Sequence, residues 1–431
     1  MNDKPRRSSN NLNRRGTSGD YKILGESGRK HKPDYWILIL SVVLLSVGLV
    51  VVYSISPGLA ASQNVSQNYF ITKQIIDVGL GLMAFAVAAF LPTKIWFRAT
   101  IPLVVAAILA SIIVMFTPVD AVYQAHRWIR FAGISFQVAE LIKLAVLIGS
   151  AGFLARQWSR GRIEDFNGTL KPLLVMLIII ASIVAKLQSD LGSTAVIVMM
   201  LGMMAFVAGI PLKRALVFGA VVLAIGLLAI STSSYRRERF ATYLSPETNC
   251  QDSGYQACQA LISVGSGGVF GLGLGHSVQA YGYLPEASDD SIFAIMAEKF
   301  GFIGTASIVI IYGVFISRLK KVIERTVDQF NRLIVVGVLA WLSTQMVINV
   351  GAMVGLLPIK GITLPLISQG GTSLVFLTAA LGIVFNISRY TSYNVTEPRN
   401  NSAQNLKTSH SLDGRGVRRA YNASAVSRSR P

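Results

Sequence analysis

The sequence predicts an all-α membrane protein: about ten transmembrane helices, with one large extracytoplasmic loop between the seventh and the eighth. Three observations carry that prediction. The 431 residues are 52% hydrophobic and only 14% charged, with a mean hydropathy of +0.52, whereas a soluble globular chain carries about 25% charged residues. Apolar runs recur along the chain, each near the roughly 20 residues that a helical span needs. The remaining charge, a formal net of +19, gathers at the two ends and in alternate connections between the runs.

In order, the spans are expected at 35–54, 74–92, 100–117, 138–155, 172–187, 192–209, 212–231, 291–317, 331–355 and 372–390. They form one membrane domain, 35–390, between two basic tails, 1–34 and 391–431. Both tails are rich in Ser, Asn and Gly, too polar to bury a core, and are expected to be disordered. Their lysines and arginines suit anionic membrane lipids, at about 1 kcal/mol per basic residue near the surface. No nucleic-acid partner is expected. The first run exceeds the roughly 7–15 apolar residues of a cleaved signal and is expected to stay as an anchor.

Basic residues favour the cytoplasmic side. With both termini cytoplasmic, the inside connections hold Lys94 and Arg98, then Arg156, Arg160, Arg162 and Lys171, then Lys213 and Arg214, then Arg318, Lys320, Lys321, Arg325 and Arg332. Two outside segments break the pattern: Arg127 with Arg130, and Arg236, Arg237 and Arg239. An anionic substrate explains such charge; snorkelling to headgroups is the alternative. Cys250 and Cys258 both lie in the outside loop 232–290. An oxidising compartment allows them to close a disulfide, against the alternative of two free thiols.

Soluble-enzyme motifs are missing: no Walker A loop, no H-E-x-x-H and no C-x-x-C. The cluster Gly265, Gly267, Gly268, Gly271, Gly273 and Gly275 has no strand–turn–helix context for a dinucleotide. It suits a loop that dips towards the bilayer or brings backbone close to a ligand. The four histidines are His31, His126, His276 and His410. Two of them lie in the tails, which argues against a multi-histidine metal centre.

Ionisable residues at the membrane are expensive and are functional candidates by default. Glu140 and Lys143 share a helix face at i,i+3 and can pair. Asp190 ends a span in Gln-Ser-Asp-Leu-Gly; Glu286, Asp289 and Asp290 precede the eighth span, and Glu298 lies within it. Lys360 sits in Leu-Pro-Ile-Lys-Gly. Taken singly, each can be a structural ion pair or a headgroup-level residue. Several on the outward half, with Arg127 and Arg130, point to a site.

Four blocks, in order, resemble the shape, elongation, division and sporulation family of cell-wall proteins, over about 35–390. His126 to Lys143 resembles R-W-I…F-Q-P-S-E…K, and Gln188 to Gly192 resembles Q-P-D-L-G. Leu284 to Phe293 resembles L-P-E-A-H-T-D-F-I-F, and Gly355 to Ser373 resembles G-L-x-P-x-K-G…L-P-x-x-S-x-G-G-S-S. Gly273 to Ser277, followed by Tyr283 to Glu286, is most similar to the division branch, with the elongation branch as runner-up. Departures are Val138 and Ser189 at family prolines, Ser288, Asp289 and Ser291 around Asp290, Lys299 at a common acid, and Gln369 at a tyrosine.

The resemblance implies a glycosyltransferase that polymerises lipid II at the outer face of the cytoplasmic membrane, at the division septum, with inversion at the anomeric carbon. It implies Asp290 as the base, with Asp289 as a second acid beside it. Arg127, Arg130, Lys143 and Lys360 are candidates for the pyrophosphate, with Glu140, Asp190 and Glu286 in support; Lys143 is expected near the same cavity, paired with Asp290 or with Glu140. No cofactor is fixed, and a divalent cation stays open. The implied partners are a class B penicillin-binding protein, an FtsI-like transpeptidase, and other division proteins. A single-pass partner helix is expected near 291–355, where Gly301, Gly304, Ala306, Gly337 and Ala340 allow close approach; packing within the chain is the alternative. A lipid II flippase would need basic residues reaching the inside half, and a scaffold would need no intramembrane charge.

Overall fold

The computed structural model describes residues 32–117, 127–131, 134–211 and 254–390, with Lys213, Arg214, Gly219, Tyr243, Cys250 and Gln251. Residues 1–31 and 391–431 of the expected tails, all but three residues of the span 212–231, His126, and Arg236, Arg237 and Arg239 lie outside the described residues.

The chain enters α1 (Tyr35–Gln63) and returns through α2 (Tyr69–Phe90). The short α3 (Thr93–Arg98) turns it into α4 (Thr100–Met115). Strands β1 (Trp128–Phe131) and β2 (Ile134–Gln137) precede α5 (Val138–Ser159). Next come α6 (Lys171–Ser182), flanked by single π-helical turns at Phe166–Leu170 and Ile183–Leu187, and α7 (Leu191–Ala208). Within the expected loop 232–290 lies α8 (Tyr255–Ser266), followed by α9 (Ile292–Arg325), α10 (Gln329–Met353) and α11 (Thr372–Ile387). Eight helices among the described residues are long and apolar enough to cross a membrane, and α4 is a shorter apolar helix. This is the expected polytopic helical architecture.

Two local expectations change. Helix α1 runs on to Gln63, so the connection expected over 55–73 shrinks to a few residues. The helix closes on Asn64, whose left-handed backbone (φ 53) donates to the Ala60 carbonyl; Asn is among the few residues that accept this conformation. The segment carrying Arg130 is an antiparallel ribbon, with Trp128 opposite Gln137 and Arg130 opposite Ser135. Its aromatic and β-branched residues suit a pleated strand, and a hairpin pairs the backbone where the chain turns between two spans.

Helices α5, α10 and α11 form the interior, and their side chains are enclosed over most of their length. Helix α11 lies along α2. A Cβ on Gly382 would stand 2.4 Å from the Phe85 carbonyl oxygen, so only glycine allows this approach. Nearby, Asn386 donates to the Ala89 and Leu91 carbonyls, at 2.6 and 3.1 Å. Most of the small residues expected to receive a partner helix pack within this chain. Gly337 abuts Leu147 and Met204, Ala340 is buried, and Gly304 lies against its own Phe300.

The longest helix, α9, breaks at Gly301 (φ 66, ψ −167). A break inside hydrocarbon strands backbone polar groups unless protein supplies partners. The glycine-rich loop supplies them. Leu272 and Gly273 donate to the Glu298 and Lys299 carbonyls, at 2.9 and 3.0 Å; Phe302 and Ile303 donate to the Gly268 and Val269 carbonyls, at 2.9 and 3.2 Å. The glycines bring backbone close to backbone: a Cβ on Gly267 would stand 1.9 Å from the Ala297 carbonyl oxygen. Buried Glu298 holds the loop's far side, accepting from Ser277 Oγ at 2.5 Å and the Val278 amide at 2.8 Å.

Candidate active site

Residues 284–291 carry the acids into α9. Glu286 takes a left-handed backbone (φ 52), a conformation rare outside glycine, and its carbonyl accepts the amides of Asp289 and Ser291 at 3.1 and 3.0 Å. Ser189 (φ 51) and Leu366 (φ 64) are equally unusual and lie in the neighbouring segments. Such strain, of order 1–3 kcal/mol each, persists where surrounding structure enforces it, often at functional sites.

The enforcing structure is the connection 359–371. Three consecutive carbonyls accept from outside their own segment. Ser288 O accepts from the Gln369 amide at 2.9 Å, Asp289 O from Ser368 Oγ at 2.6 Å, and Asp290 O from Asn349 Nδ2 at 2.7 Å. The Asp289 and Asp290 side chains are half-buried. A Cβ on Gly361 would stand 3.0 Å from Asp290 Oδ2 and 3.9 Å from an Arg127 Nη, so carboxylate and guanidinium flank Gly361. Lys360 is the residue before it, in the same connection.

Arg127 is anchored from behind: Nε donates to the Gln188 carbonyl at 2.9 Å and Nη2 to the Ser189 carbonyl at 2.8 Å. Asp190 caps α7, accepting from the Ser193 amide at 2.8 Å, and meets Gln137 Nε2 at 3.4 Å. Four separate stretches, 127–137, 188–190, 284–291 and 359–371, thus converge at one end of the helical bundle. The basic stretches 156–171 and 318–332 lie at the far ends of α5 and α9, which begin at this site.

Charge crowding perturbs the acids. Loss of hydration, then the neighbouring Glu286, pushes Asp289 up to about 7, against the opposing pull of Lys73 and the Ser288 hydroxyl. Asp290 is held well above the ordinary carboxylate range, by lost hydration first and then by Asp289, Glu286 and Asp190; Arg127 pulls the other way. Among the described residues no group of three or more His, Cys, Asp or Glu is arranged to hold a metal ion, so no residue here is assigned to a divalent cation.

Lys143 and Glu140 lie in the first turns of α5, directly after β2. They form a buried ion pair at 2.6 Å on α5, and the ammonium stands 5.1 Å from the Trp341 ring centre. Trp341 Nε1 donates to Gln345 Oε1 at 2.8 Å, and Gln345 Nε2 reaches the Thr363 carbonyl at 3.0 Å. The pair therefore connects to the connection 359–371 through two side chains of α10. Arg130 is exposed on β1. Cys250 and Cys258 are joined, with Cα atoms 5.6 Å apart. Their bridge sits at the head of α8, which packs on the start of α9 through Gln256 Nε2 to Ser291 Oγ at 3.1 Å and Ser263 Oγ to the Ala294 carbonyl at 2.9 Å.

Sequence reasoning passed over Gln345 and Asn349. Their signal was present: two amides at i,i+4 in a largely apolar span, where buried polar groups are costly unless bonded.

Residues 35–393 match the model of the FtsW/RodA/SpoVE family, described as cell cycle protein. The chain is 36% identical over 360 residues to the Saccharophagus degradans protein named "Probable peptidoglycan glycosyltransferase FtsW", covering 82% of this chain and 92% of that one. It is 33% identical over 366 residues to stage V sporulation protein E of Bacillus subtilis, covering 85% and 99%. The fold is similar to a chain of a peptidoglycan synthase complex of polymerization and crosslinking (TM-score 0.68, 24% identity, 83% and 98% covered). It is also similar to the rod shape determining protein RodA of Thermus thermophilus (TM-score 0.59, 24% identity, 84% and 98% covered).

Proposed function

Because the chain belongs to the FtsW/RodA/SpoVE family of cell cycle proteins, we propose that it is a peptidoglycan glycosyltransferase that polymerises lipid II during septal wall synthesis. The observation that carries this reading is the acidic pair Asp289–Asp290, flanked by Arg127, at the bundle end opposite the basic connections. Under the positive-inside rule that end faces outward and both termini face the cytoplasm.

The chemistry follows from the groups present. The 4-hydroxyl of the acceptor sugar attacks the anomeric carbon of the lipid-linked donor. A C–O bond forms there, the bond to the pyrophosphate oxygen breaks, and the configuration inverts. The hydroxyl proton passes to a carboxylate, for which Asp290 is assigned, with Asp289 beside it. Undecaprenyl pyrophosphate leaves carrying the charge, and Arg127, Lys360 and Arg130 supply the positive groups where it develops. Glu286 and Asp190 hold the site's charge and turns. Lys143, buried against Glu140, acts as support for the connection 359–371 rather than as a pyrophosphate contact.

The test is polymerisation of lipid II by the purified protein in liposomes. Glycan ladders on a gel are expected without any soluble enzyme added. Transfer of lipid II between leaflets with no polymer would replace this reading by the flippase.

A class B penicillin-binding protein is the proposed partner. The face it meets is the exposed apolar side of α9, with Ile303, Val309, Ile310 and Val314, since the small residues are used internally. A photo-crosslinker at Ile310 is expected to capture a single-pass transpeptidase in dividing cells. Capture from the α4 face at Ile108 instead would relocate the interface.

A further inference from the structure

We propose that Asn349 is a positioning residue for the base, a clasp that fixes where the Asp290 carboxylate stands; the inference rests on the polymerase reading above. Asn349 lies near the end of α10 and is 2% exposed. Its side-chain nitrogen donates to two carbonyls far apart in sequence, Asp290 O and Ile362 O, both at 2.7 Å. A primary amide has two N–H donors, and both are spent here. One carbonyl belongs to the acid itself. The other follows Gly361, the residue that Asp290 Oδ2 and Arg127 flank. A single side chain therefore sets the distance between the acid and the connection that carries Lys360.

Other bonds leave the acid little freedom once the clasp is closed. Ser368 Oγ accepts from the Leu364 amide at 2.8 Å and donates to Asp289 O at 2.6 Å, tying the same two segments one residue upstream. Asn349 Oδ1 is buried without a hydrogen-bond partner, an unusual expense for a residue whose only purpose is helix packing. The arrangement makes sense if the two donors are what the position requires. No other side chain of this size offers two donors from one atom: Asp offers none in its ionised form, and Leu offers none at all.

The test compares Asn349→Leu and Asn349→Asp with the wild type in the lipid II polymerisation assay, measuring kcat, KM, the pH–rate midpoint and the melting temperature of the full-length protein in liposomes. Displacing a catalytic group by about 1 Å costs on the order of 10²-fold in rate. Both variants are therefore expected to lose about 10- to 100-fold in kcat, with KM near the wild-type value. Loosening Asp290 also changes its surroundings, so the pH–rate midpoint should move. Asn349→Ser, which keeps one donor, should fall between. A variant that only loses melting temperature, with kcat and pH midpoint of its folded fraction unchanged, overturns the proposal. If the wild type forms no polymer, the polymerase reading fails. If the wild type polymerises and Asn349→Leu matches its kcat, the clasp alone fails.

Discussion

Asp290→Asn is expected to abolish glycan polymerisation in a protein that still folds and inserts. Loss of a positioned base costs on the order of 10²–10⁴-fold in rate. Asparagine keeps the shape, and the Asp290 backbone bonds to Asn349 do not depend on the side chain. Stability should not suffer. A carboxyl whose native pKa is raised binds more protons folded than unfolded, so its contribution to stability falls as pH climbs from the ordinary carboxylate value to the raised one. Replacing it by a neutral amide removes that penalty, and the melting temperature above neutral pH should be equal to or higher than that of the wild type. The base works only when ionised, so wild-type activity should rise with pH across the titration of the acid pair, whose Asp289 member sits at about 7. Asp289→Asn deletes the largest like charge acting on Asp290, so the rise should move to lower pH. Polymerisation at the wild-type rate by Asp290→Asn would transfer the base role to Asp289 or Glu286. An unmoved midpoint in Asp289→Asn would break the electrostatic account.

The parts of this molecule that follow from local composition were legible in advance. Hydropathy placed the spans that fall on described residues, because hydrocarbon tolerates long apolar helices and little else; the span 212–231 lies outside them. The i,i+3 spacing of Glu140 and Lys143 anticipated their ion pair, since a helix alone brings those positions together. The acidic segment 286–290 was marked by its charge at a span end and by its likeness to a family block. What escaped notice depends on residues distant in the chain. The break in α9 at Gly301 is stable because a loop some thirty residues upstream pairs with it, and no pattern within 292–325 announces that partner. The roles of Asn349, Ser368 and the Gln369 amide exist only once α10 and the connection 359–371 lie beside Asp290. The partner face was assigned to small residues because glycine permits close approach. Glycine does so for any helix, and here most of those contacts were taken by the chain's own α5, α7 and loop backbone.

Lys143→Ala is expected to cost both activity and stability, and the two can be separated. The ammonium and the Glu140 carboxylate are 2% and 4% exposed. Removing one partner leaves the other charge buried alone, a loss of about 3–5 kcal/mol for such pairs. The stranded Glu140 carboxylate must then be repacked or hydrated, which disturbs Trp341, whose ring faces the ammonium. Trp341 holds Gln345, and Gln345 holds Thr363, three residues beyond Lys360. A polymerisation rate at least tenfold below wild type is therefore expected, together with a lowered melting temperature. The double variant Glu140→Gln, Lys143→Met distinguishes support from contact. Replacing a buried ion pair with neutral groups of similar volume is often neutral for stability, so the double variant should regain the melting temperature. If the pair acts through the α10 side chains, activity returns with it, to within a few-fold of wild type. A double variant that melts like the wild type and stays inactive would instead put the Lys143 ammonium in direct contact with the substrate's pyrophosphate.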